Sequence, residues 1–196
     1  MFAQDCPEGD KCQPWSNDGM DRWNATRCSG IAPMPGQPDD ACTVEDSPQS
    51  GRDDCALAVL CFDVDPKTLE GTCYEMCSGN SDDPTCSDPD RLCSISHEGT
   101  LALCLLPCDP LAMDCPDGLD CVSDGDRFVC VPAGAGGYGD ECDDVLDCAA
   151  GLSCVSDATA GCADQCCTDA CDPVMPDCMD GAQACQPVGD AGVCVN

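Results

Sequence analysis

The apolar residues of this chain fall in short runs and do not follow a helical spacing. No window of eleven residues keeps apolar positions at i, i+3, i+4 and i+7 without an intervening Gly, Pro or Cys. Runs of β-branched and apolar residues predict strands at Leu101–Leu106, Phe128–Val131 and Val193–Val195. We therefore expect short strands, little helix and much irregular chain.

Turn signals next to these runs favour β-hairpins. The pairs Glu98–Gly99, Asp124–Gly125 and Gly189–Asp190 each stand near the middle of a segment between two cysteines. Gly beside an acidic residue supplies the positive φ angles that tight hairpin turns require. A second motif, C-x2-G-x2-C, is expected to turn the chain at its central Gly. It occurs at Cys6–Cys12, Cys115–Cys121 and Cys148–Cys154.

The cysteine spacing repeats along the chain. Cys104 to Cys130 read C-x3-C-x6-C-x5-C-x8-C, and Cys167 to Cys194 read C-x3-C-x6-C-x6-C-x8-C. A looser copy, C-x3-C-x8-C-x6-C-x10-C, begins at Cys73 and shares Cys104 with the next copy. The residues between the cysteines repeat as well, with PCDPLAMDCPDGLDC matching ACDPVMPDCMDGAQAC. These repeats predict cysteine-rich modules.

The repeats divide the chain into three parts. Residues 1–35 form an N-terminal segment with Cys and Trp, residues 36–132 form module one, and residues 139–196 form module two. The modules contain twelve and ten cysteines, so each can close on itself. Spacers rich in Pro and Gly, Ala32–Pro38 and Pro132–Gly139, precede them, and this composition predicts flexible or extended chain.

Two features of the cysteines bear on their pairing. Module two lacks counterparts of Cys86 and Cys93, and this joint absence suggests that the two bind each other. Other pairings stay open, because spacing alone does not determine connectivity. The N-terminal segment holds an odd three, Cys6, Cys12 and Cys28, which resemble the second half of a unit whose first half would lie upstream. Otherwise, one thiol is free or pairs between chains.

The composition makes disulfides essential. Cysteine occupies 25 of 196 positions, whereas large apolar residues are scarce and the net charge is −31, a combination typical of disorder in a reduced chain. Zinc is a poor alternative, because no C-x2-C pair occurs and His97 is the single histidine. We predict a small disulfide-rich fold of repeated cysteine-rich modules, irregular with short β-hairpins, in an oxidising compartment.

Charge and hydropathy exclude several classes of protein. Seven Lys and Arg residues are too few for the basic patch that nucleic acid requires. Apolar stretches such as Leu101–Pro107 are too short for a membrane span. Met1–Asp5 lacks the basic and apolar regions of a signal peptide, so either Met1 is an artificial start, or the chain is a fragment whose export signal, with any lipid anchor, lies upstream.

Stretches rich in Asp make calcium the candidate ligand. Calcium takes about six to eight oxygen ligands, many of them carboxylates. The EF-hand pattern is absent, and the alternative is that these acids are solvated turn residues that keep the protein soluble. The candidate calcium ligands are Asp82, Asp83, Asp88, Asp90, Asp140, Asp143, Asp144 and Asp147.

Aromatic residues and histidine offer two further candidate sites. Trp15 and Trp23, the only tryptophans, predict an aromatic ligand-binding surface, or alternatively the small core of their segment. His97 lies between Ser96 and Glu98, but neighbours on one turn cannot face each other as a catalytic triad requires. We therefore expect no catalytic residues and no enzyme activity.

Several stretches carry a family resemblance, namely CPEGDKCQPWSNDGMDRWNATRC, CTVEDSPQSGRDDC and the later CSIS…LALCL. They resemble bacterial cysteine-rich exported proteins of lipoprotein type, a family of unknown function, and the resemblance covers nearly the whole chain. Such chains are sometimes labelled ribulose-phosphate epimerase. That enzyme is a TIM barrel of eight βα units with two metal-binding histidines, and this chain has one histidine and no helical pattern.

These observations predict an exported, non-enzymatic protein of the cell surface, periplasm or extracellular space. It would bind a protein or glycan, or have a structural role, and would need no cofactor unless calcium binds. One alternative is an inhibitor of secreted enzymes, with the hairpin tip Ser96–Thr100 as its inhibitory loop. A second alternative is a calcium-dependent extracellular scaffold.

Overall fold

A computed structural model describes residues 4–20, 22–124, 127–142, 146–156, 165–178 and 184–195. Within these ranges the chain forms short strands and a 3₁₀ turn at His97–Gly99, with no α-helix. No helix in this part of the chain is long and apolar enough to cross a membrane. The strands are β1 Asp10–Trp15, β2 Ala25–Gly30, β3 Ala41–Thr43, β4 Val59–Phe62, β5 Glu70–Glu75, β6 Ser78–Asn80, β7 Asp83–Thr85, β8 Leu92–Ser96, β9 Leu101–Leu105, β10 Leu119–Ser123, β11 Phe128–Pro132, β12 Leu152–Ser156, β13 Gln165–Cys171, β14 Ala184–Val188 and β15 Ala191–Val195.

The strands pair with near neighbours into small sheets. Four two-stranded sheets consist of β1–β2, β6–β7, β8–β9 and β10–β11. The two larger sheets have the orders β3-β5-β4 and β12-β13-β15-β14. The three strands predicted from the sequence coincide with β9, β11 and β15. The predicted class is confirmed: this is a small disulfide-rich fold of short antiparallel hairpins with little helix.

The disulfides follow one rule. Five groups of four cysteines, which we call cystine units 1 to 5, each bind first to third and second to fourth. Unit 4 does not include Cys162 and Cys166, which stand between its third and fourth members in the sequence. The pairs are Cys42–Cys61 with Cys55–Cys73, Cys77–Cys93 with Cys86–Cys104, Cys108–Cys121 with Cys115–Cys130, Cys142–Cys154 with Cys148–Cys167, and Cys171–Cys185 with Cys178–Cys194. The bridge Cys6–Cys28 joins the N-terminal hairpin β1–β2 to the residues before it.

A hairpin carries the last two half-cystines of each unit. Cys61 lies opposite Cys73 in β4 and β5, and Cys121 lies opposite Cys130 in β10 and β11. Residues directly opposite each other on antiparallel strands point to the same face. The sulfur atoms of the third and fourth half-cystines therefore both point toward the loop that carries the first and second half-cystines. In every unit three of the four sulfur atoms lie within 4.8 Å of one another, so the two bridges pack together.

In units 1, 3 and 4, the turn between the second and third half-cystines contains a residue with a left-handed backbone. Gly118 and Gly151, the central glycines of C-x2-G-x2-C, have φ angles of 88° and 78°. Unit 1 makes the same turn without glycine: Ala58 has a φ of 58°, and the Val59 N–H donates to the Ala56 carbonyl at 3.1 Å. Units 1, 3 and 4 thus share the turn, and Ala58 adopts it at a steric cost.

The predicted Cys86–Cys93 bridge is wrong. Cys93 binds Cys77, and Cys86 binds Cys104. Hairpin β8–β9 holds Cys93 and Cys104 on neighbouring strands, so both bonds run back to the segment before it. The units also begin one cysteine later than the spacing repeat suggested, because Cys104 closes unit 2 and does not open unit 3.

The two spacers rich in Pro and Gly are not free chain. The Gly36 N–H donates to the Asp54 carbonyl at 2.9 Å, and the Gly136 N–H donates to the Asp147 carbonyl at 2.8 Å. A Cβ at Gly36 would come within 2.8 Å of the Cys73 sulfur, and one at Gly136 within 2.8 Å of the Asp147 carbonyl. Glycine is therefore needed for close approach to a cystine unit, a constraint that composition alone does not reveal.

The described chain forms two compact bodies, which we call the first body, Met1–Cys104, and the second body, Leu105–Asn196. The division falls inside the predicted module one. Residues just after Cys104 belong to cystine unit 3, since the Cys130 N–H donates to the Leu106 carbonyl at 2.8 Å.

The second body has a small core of its own. Phe128 of unit 3 packs in one apolar cluster with Val188 and Val193 of unit 5. A hydrogen bond of 2.9 Å from the Ser123 N–H to the Ser153 hydroxyl joins unit 3 to unit 4. These contacts explain why unit 3 folds with units 4 and 5.

In the first body, a buried lysine fixes the N-terminal hairpin to cystine unit 1. Lys11 forms an ion pair with Asp53, and the two side chains are 0% and 1% exposed. Its Nζ also donates to the carbonyls of Cys55 at 2.7 Å and Val59 at 3.1 Å, and Gln13 Nε2 donates to the second Asp53 oxygen at 3.2 Å. Burial lowers the pKa of Lys11 despite the opposing attraction of Asp53. The N-terminal segment is thus part of the first body.

We predict that Lys11→Met destabilises the protein by about 3–5 kcal/mol, because the buried Asp53 carboxylate would lose its counter-ion. Guanidinium unfolding with the disulfides intact measures this loss. Lys67→Met is the matched control, since Lys67 is exposed and its substitution should change the free energy of unfolding little. Equal stability of Lys11→Met and Lys67→Met would contradict the role of Lys11.

We predict that Ala58→Gly stabilises the protein by up to about 1 kcal/mol, because glycine relieves the left-handed strain at this turn. Gly118→Ala, at the equivalent turn of unit 3, should destabilise by about 1 kcal/mol. Thermal unfolding of the oxidised variants compares the two. A decrease in Tm for Ala58→Gly would show that the alanine is not strained there.

Candidate functional site

Two loops of the second body share one sequence pattern and the same first turn. They span Cys108–Cys115 in unit 3 and Cys171–Cys178 in unit 5, and we call them the Asp-Pro loops. Asp109 Oδ1 accepts the Leu111 N–H at 2.9 Å, and Asp172 Oδ1 accepts the Val174 N–H at 2.7 Å. An Asp side chain that binds the backbone two residues ahead makes a defined turn. The two loops therefore start in the same direction.

Both Asp-Pro loops present apolar side chains to solvent. Leu111 and Met113 are 51% and 81% exposed in one loop, and Val174 and Met175 are 86% and 73% exposed in the other. Large apolar residues are scarce in this chain, and each loop places two of them where they cover no core. Contiguous exposed apolar residues mark interaction surfaces, and each loop brings two such residues within three positions of each other.

The loop of unit 3 is held in a fixed conformation. Its two ends are tied by Cys108–Cys121 and Cys115–Cys130. Inside it, the Met113 N–H donates to the Asp109 carbonyl at 3.0 Å, and Met113 has a left-handed φ of 49°. A loop fixed before binding loses little conformational entropy when a partner docks.

A cavity of about 340 Å³ opens beside this loop. Its walls combine apolar side chains, half-cystines and carboxylates. The lining residues include Leu111, Met113, Leu119, Ala170, Asp120, Asp169 and Asp177. The volume is at the small end of the range for ligand pockets, about 300–1,000 Å³. The cavity can hold one medium-sized side chain of a partner.

The charge around the cavity is strongly negative. Residues 105–196 contain eighteen Asp and Glu and a single basic residue, Arg127. Arg127 is already engaged, with its Nε at 3.5 Å from the Asp124 carboxylate. A partner with a basic group beside an apolar side chain would complement both features.

The predicted calcium ligand Asp140 has a structural role. Its carboxylate accepts the Gly137 N–H at 2.7 Å, and Asp40 accepts the Gln37 N–H at 2.8 Å at the equivalent place before unit 1. Both carboxylates thus close the same turn ahead of a cystine unit. Asp147 is exposed. Asp143 and Asp144, the remaining ligands predicted in this segment, lie outside the described residues.

The other predicted calcium ligands lie exposed in two turns of the first body. The N–H groups of Asp82 and Asp83 donate to Asn80 Oδ1 at 2.9 and 3.1 Å. Asp88 Oδ1 accepts the Asp90 N–H at 2.9 Å. These hydrogen bonds fit the turn role weighed above, and calcium binding stays a prediction.

The two tryptophans lie in the first body with different surroundings. Trp23 is buried, with its ring centroid 5.6 Å from that of Phe62 and 5.3 Å from that of His97. Trp15 is half-buried beneath the guanidinium of Arg27, which lies 4.8 Å from its ring centroid. Trp23 therefore serves a small aromatic core, and a ligand-binding role for either residue stays a prediction.

Sequence reasoning did not single out Leu111, Met113, Val174 and Met175. The signal was present, because CDPLAMDC and CDPVMPDC keep apolar residues at similar places in a loop between half-cystines. Their exposure could not be read from the sequence, since apolar residues are ordinarily expected inside.

Comparison with known proteins leaves the structure as the guide to function. No family model, curated protein or solved structure matches the chain. The fold and the Asp-Pro loops define a class of disulfide-rich, hairpin-based protein with loops held between half-cystines.

We predict that Asp140→Ala destabilises the calcium-free protein by about 1 kcal/mol, because the Gly137 N–H loses its acceptor. Asp40→Ala should have the same effect in the first body, whereas Asp140→Asn keeps a side-chain oxygen and should lose less. Thermal unfolding in a calcium chelator measures all three. If Asp140→Ala changes Tm only when calcium is present, Asp140 is a calcium ligand and not a turn residue.

Proposed function

We propose that this chain is an exported, non-enzymatic binding protein that recognises a protein partner through its Asp-Pro loops. The observation that carries the proposal is the repetition of two exposed apolar residues in the Asp-Pro loops of cystine units 3 and 5, with Leu111 and Val174 at the same position and Met113 and Met175 one position apart. The disulfides support an extracellular or periplasmic location, because bridges on this scale persist in oxidising compartments.

The chemistry of the loops favours a protein partner over a glycan. Leu111, Met113, Val174 and Met175 offer apolar area without hydrogen-bond donors, and the Met sulfur atoms are only weak acceptors. Sugars are recognised mainly by aromatic rings and polar groups, and both tryptophans lie in the first body. Burial of an apolar side chain contributes about 1.5–3 kcal/mol, so two such loops can supply useful affinity.

An inhibitor of secreted enzymes is the second candidate. Leu111–Met113 stands in a loop closed at both ends by disulfides, a form suited to entering a cleft without unfolding. The hairpin tip Ser96–Thr100, which the sequence suggested for this role, carries His97 in contact with Trp23. The Asp-Pro loop is therefore the better inhibitory element.

The proposal can be tested by photo-crosslinking on the cells that produce the protein. A photoreactive residue at Met113 or Met175 should capture the same protein component. Met34 is the matched control, since it is 92% exposed but lies in the first body. Equal capture from Met34, or none from both loops, would contradict the proposal. Capture of a secreted protease, with stoichiometric loss of its activity, would favour the inhibitor.

We predict that Met113→Ser and Met175→Ser each weaken binding of the captured component about tenfold, because each removes one apolar contact. Tm should stay unchanged, since neither side chain covers a core. Met34→Ser should alter neither binding nor Tm. Surface plasmon resonance with the purified component measures the affinities.

A further inference from the structure

The N-terminal hairpin reproduces the second half of a cystine unit. Cys12 lies opposite Cys28 in the register of β1 and β2. The third and fourth half-cystines lie opposite each other in the same way in unit 4, Cys154 with Cys167, and in unit 5, with Cys185 opposite Cys194. Cys12 and Cys28 therefore hold the third and fourth positions of a unit.

The spacing and the turn before this hairpin agree with that assignment. Cys6 and Cys12 are six residues apart, as are the second and third half-cystines of unit 4, Cys148 and Cys154. The glycine between them has the same left-handed backbone in both, with a φ of 92° at Gly9 and 78° at Gly151. Cys6 therefore holds the second position.

The bond already formed leaves one position open. Cys6 binds Cys28, which is the second-to-fourth bridge of every other unit. Cys12, at the third position, is a free and buried cysteine. In all five complete units, the half-cystine at the third position is bonded to one at the first. The five units are thus an internal comparison in which the equivalent residue of Cys12 has a covalent partner.

We infer that Cys12 is the docking point for a segment that contributes one half-cystine from outside the described residues and completes a sixth cystine unit. The partner is defined by chemistry, as a peptide segment with a single cysteine. Two thiols lose two protons and two electrons as the Sγ–Sγ bond forms. A disulfide oxidant such as oxidised glutathione takes them up and is reduced to two thiols.

If this half-cystine belongs to the same chain, ahead of the hairpin, the complete units give its expected distance from Cys6. The first half-cystine precedes the second by six residues in unit 4, Cys142 to Cys148, and by thirteen in unit 1, Cys42 to Cys55. A segment with a cysteine about seven residues ahead of Cys6 would match the spacing of unit 3, Cys108 to Cys115.

The test uses the full chain with an N-terminal extension of about ten residues and one cysteine seven residues ahead of Cys6. After oxidation with glutathione, the added cysteine should bind Cys12, with Cys6–Cys28 retained, and no thiol should react with maleimide in denaturant. The same extension with Ser in place of the cysteine should keep Cys12 reactive. Cys12→Ser in the extended chain should instead leave the added cysteine free.

Peptide mapping identifies the source of the half-cystine. The thiols are blocked first, and the protein is then isolated from the cells that produce it. A bridge from Cys12 to a segment of the same molecule, or a Cys12-linked species of higher mass on a non-reducing gel, would support the inference and identify the source. Cys12 recovered as a blocked free thiol would overturn it. So would an added cysteine that stays reactive in the extended chain or displaces Cys6 from Cys28.

Discussion

The interlocked pair of disulfides in each cystine unit is the constraint on which the structure depends. Each bridge closes a loop of modest length, from a sequence separation of 12 for Cys142–Cys154 to 19 for Cys148–Cys167. A bridge over such a loop stabilises a fold by about 2–4 kcal/mol, mainly by restricting the unfolded chain. Because the first-to-third and second-to-fourth bonds overlap, neither half of a unit can open alone. Short hairpins that would be marginal in isolation are held in place in this way.

The same constraint makes the unusual charge tolerable. A net charge of −31 opposes compaction, and a chain held by a large core would have to offset that repulsion. Here the acids lie mostly in turns between half-cystines, where many of them accept backbone hydrogen bonds. Asp109 and Asp140 each close a turn in this manner. The exception is Asp53, which is buried and is matched by Lys11 from the N-terminal hairpin.

The sequence predicted the fold class and three of the strands but not the disulfide connections. Hairpins could be predicted, because short runs of β-branched residues beside turns such as Gly189–Asp190 are typical of few other structures. The predicted Cys86–Cys93 pair was wrong, because cysteine spacing does not determine which sulfur atoms meet. Hairpin β8–β9 places Cys93 and Cys104 side by side, and each of them bonds to a cysteine earlier in the chain. The Lys11–Asp53 contact joins residues distant in sequence, which no local pattern reveals. In the candidate site, the repeated sequence of the Asp-Pro loops could be recognised, but the exposure of Met113 and Met175 depended on the fold.

The central claim is that every unit binds first to third and second to fourth, and unit 2 tests it most directly. Non-reducing proteolysis with the free thiol blocked, followed by mass spectrometry, assigns the bridges among Cys77, Cys86, Cys93 and Cys104. The structure predicts Cys77–Cys93 together with Cys86–Cys104. Peptides linked through Cys86–Cys93 and Cys77–Cys104 would contradict the account.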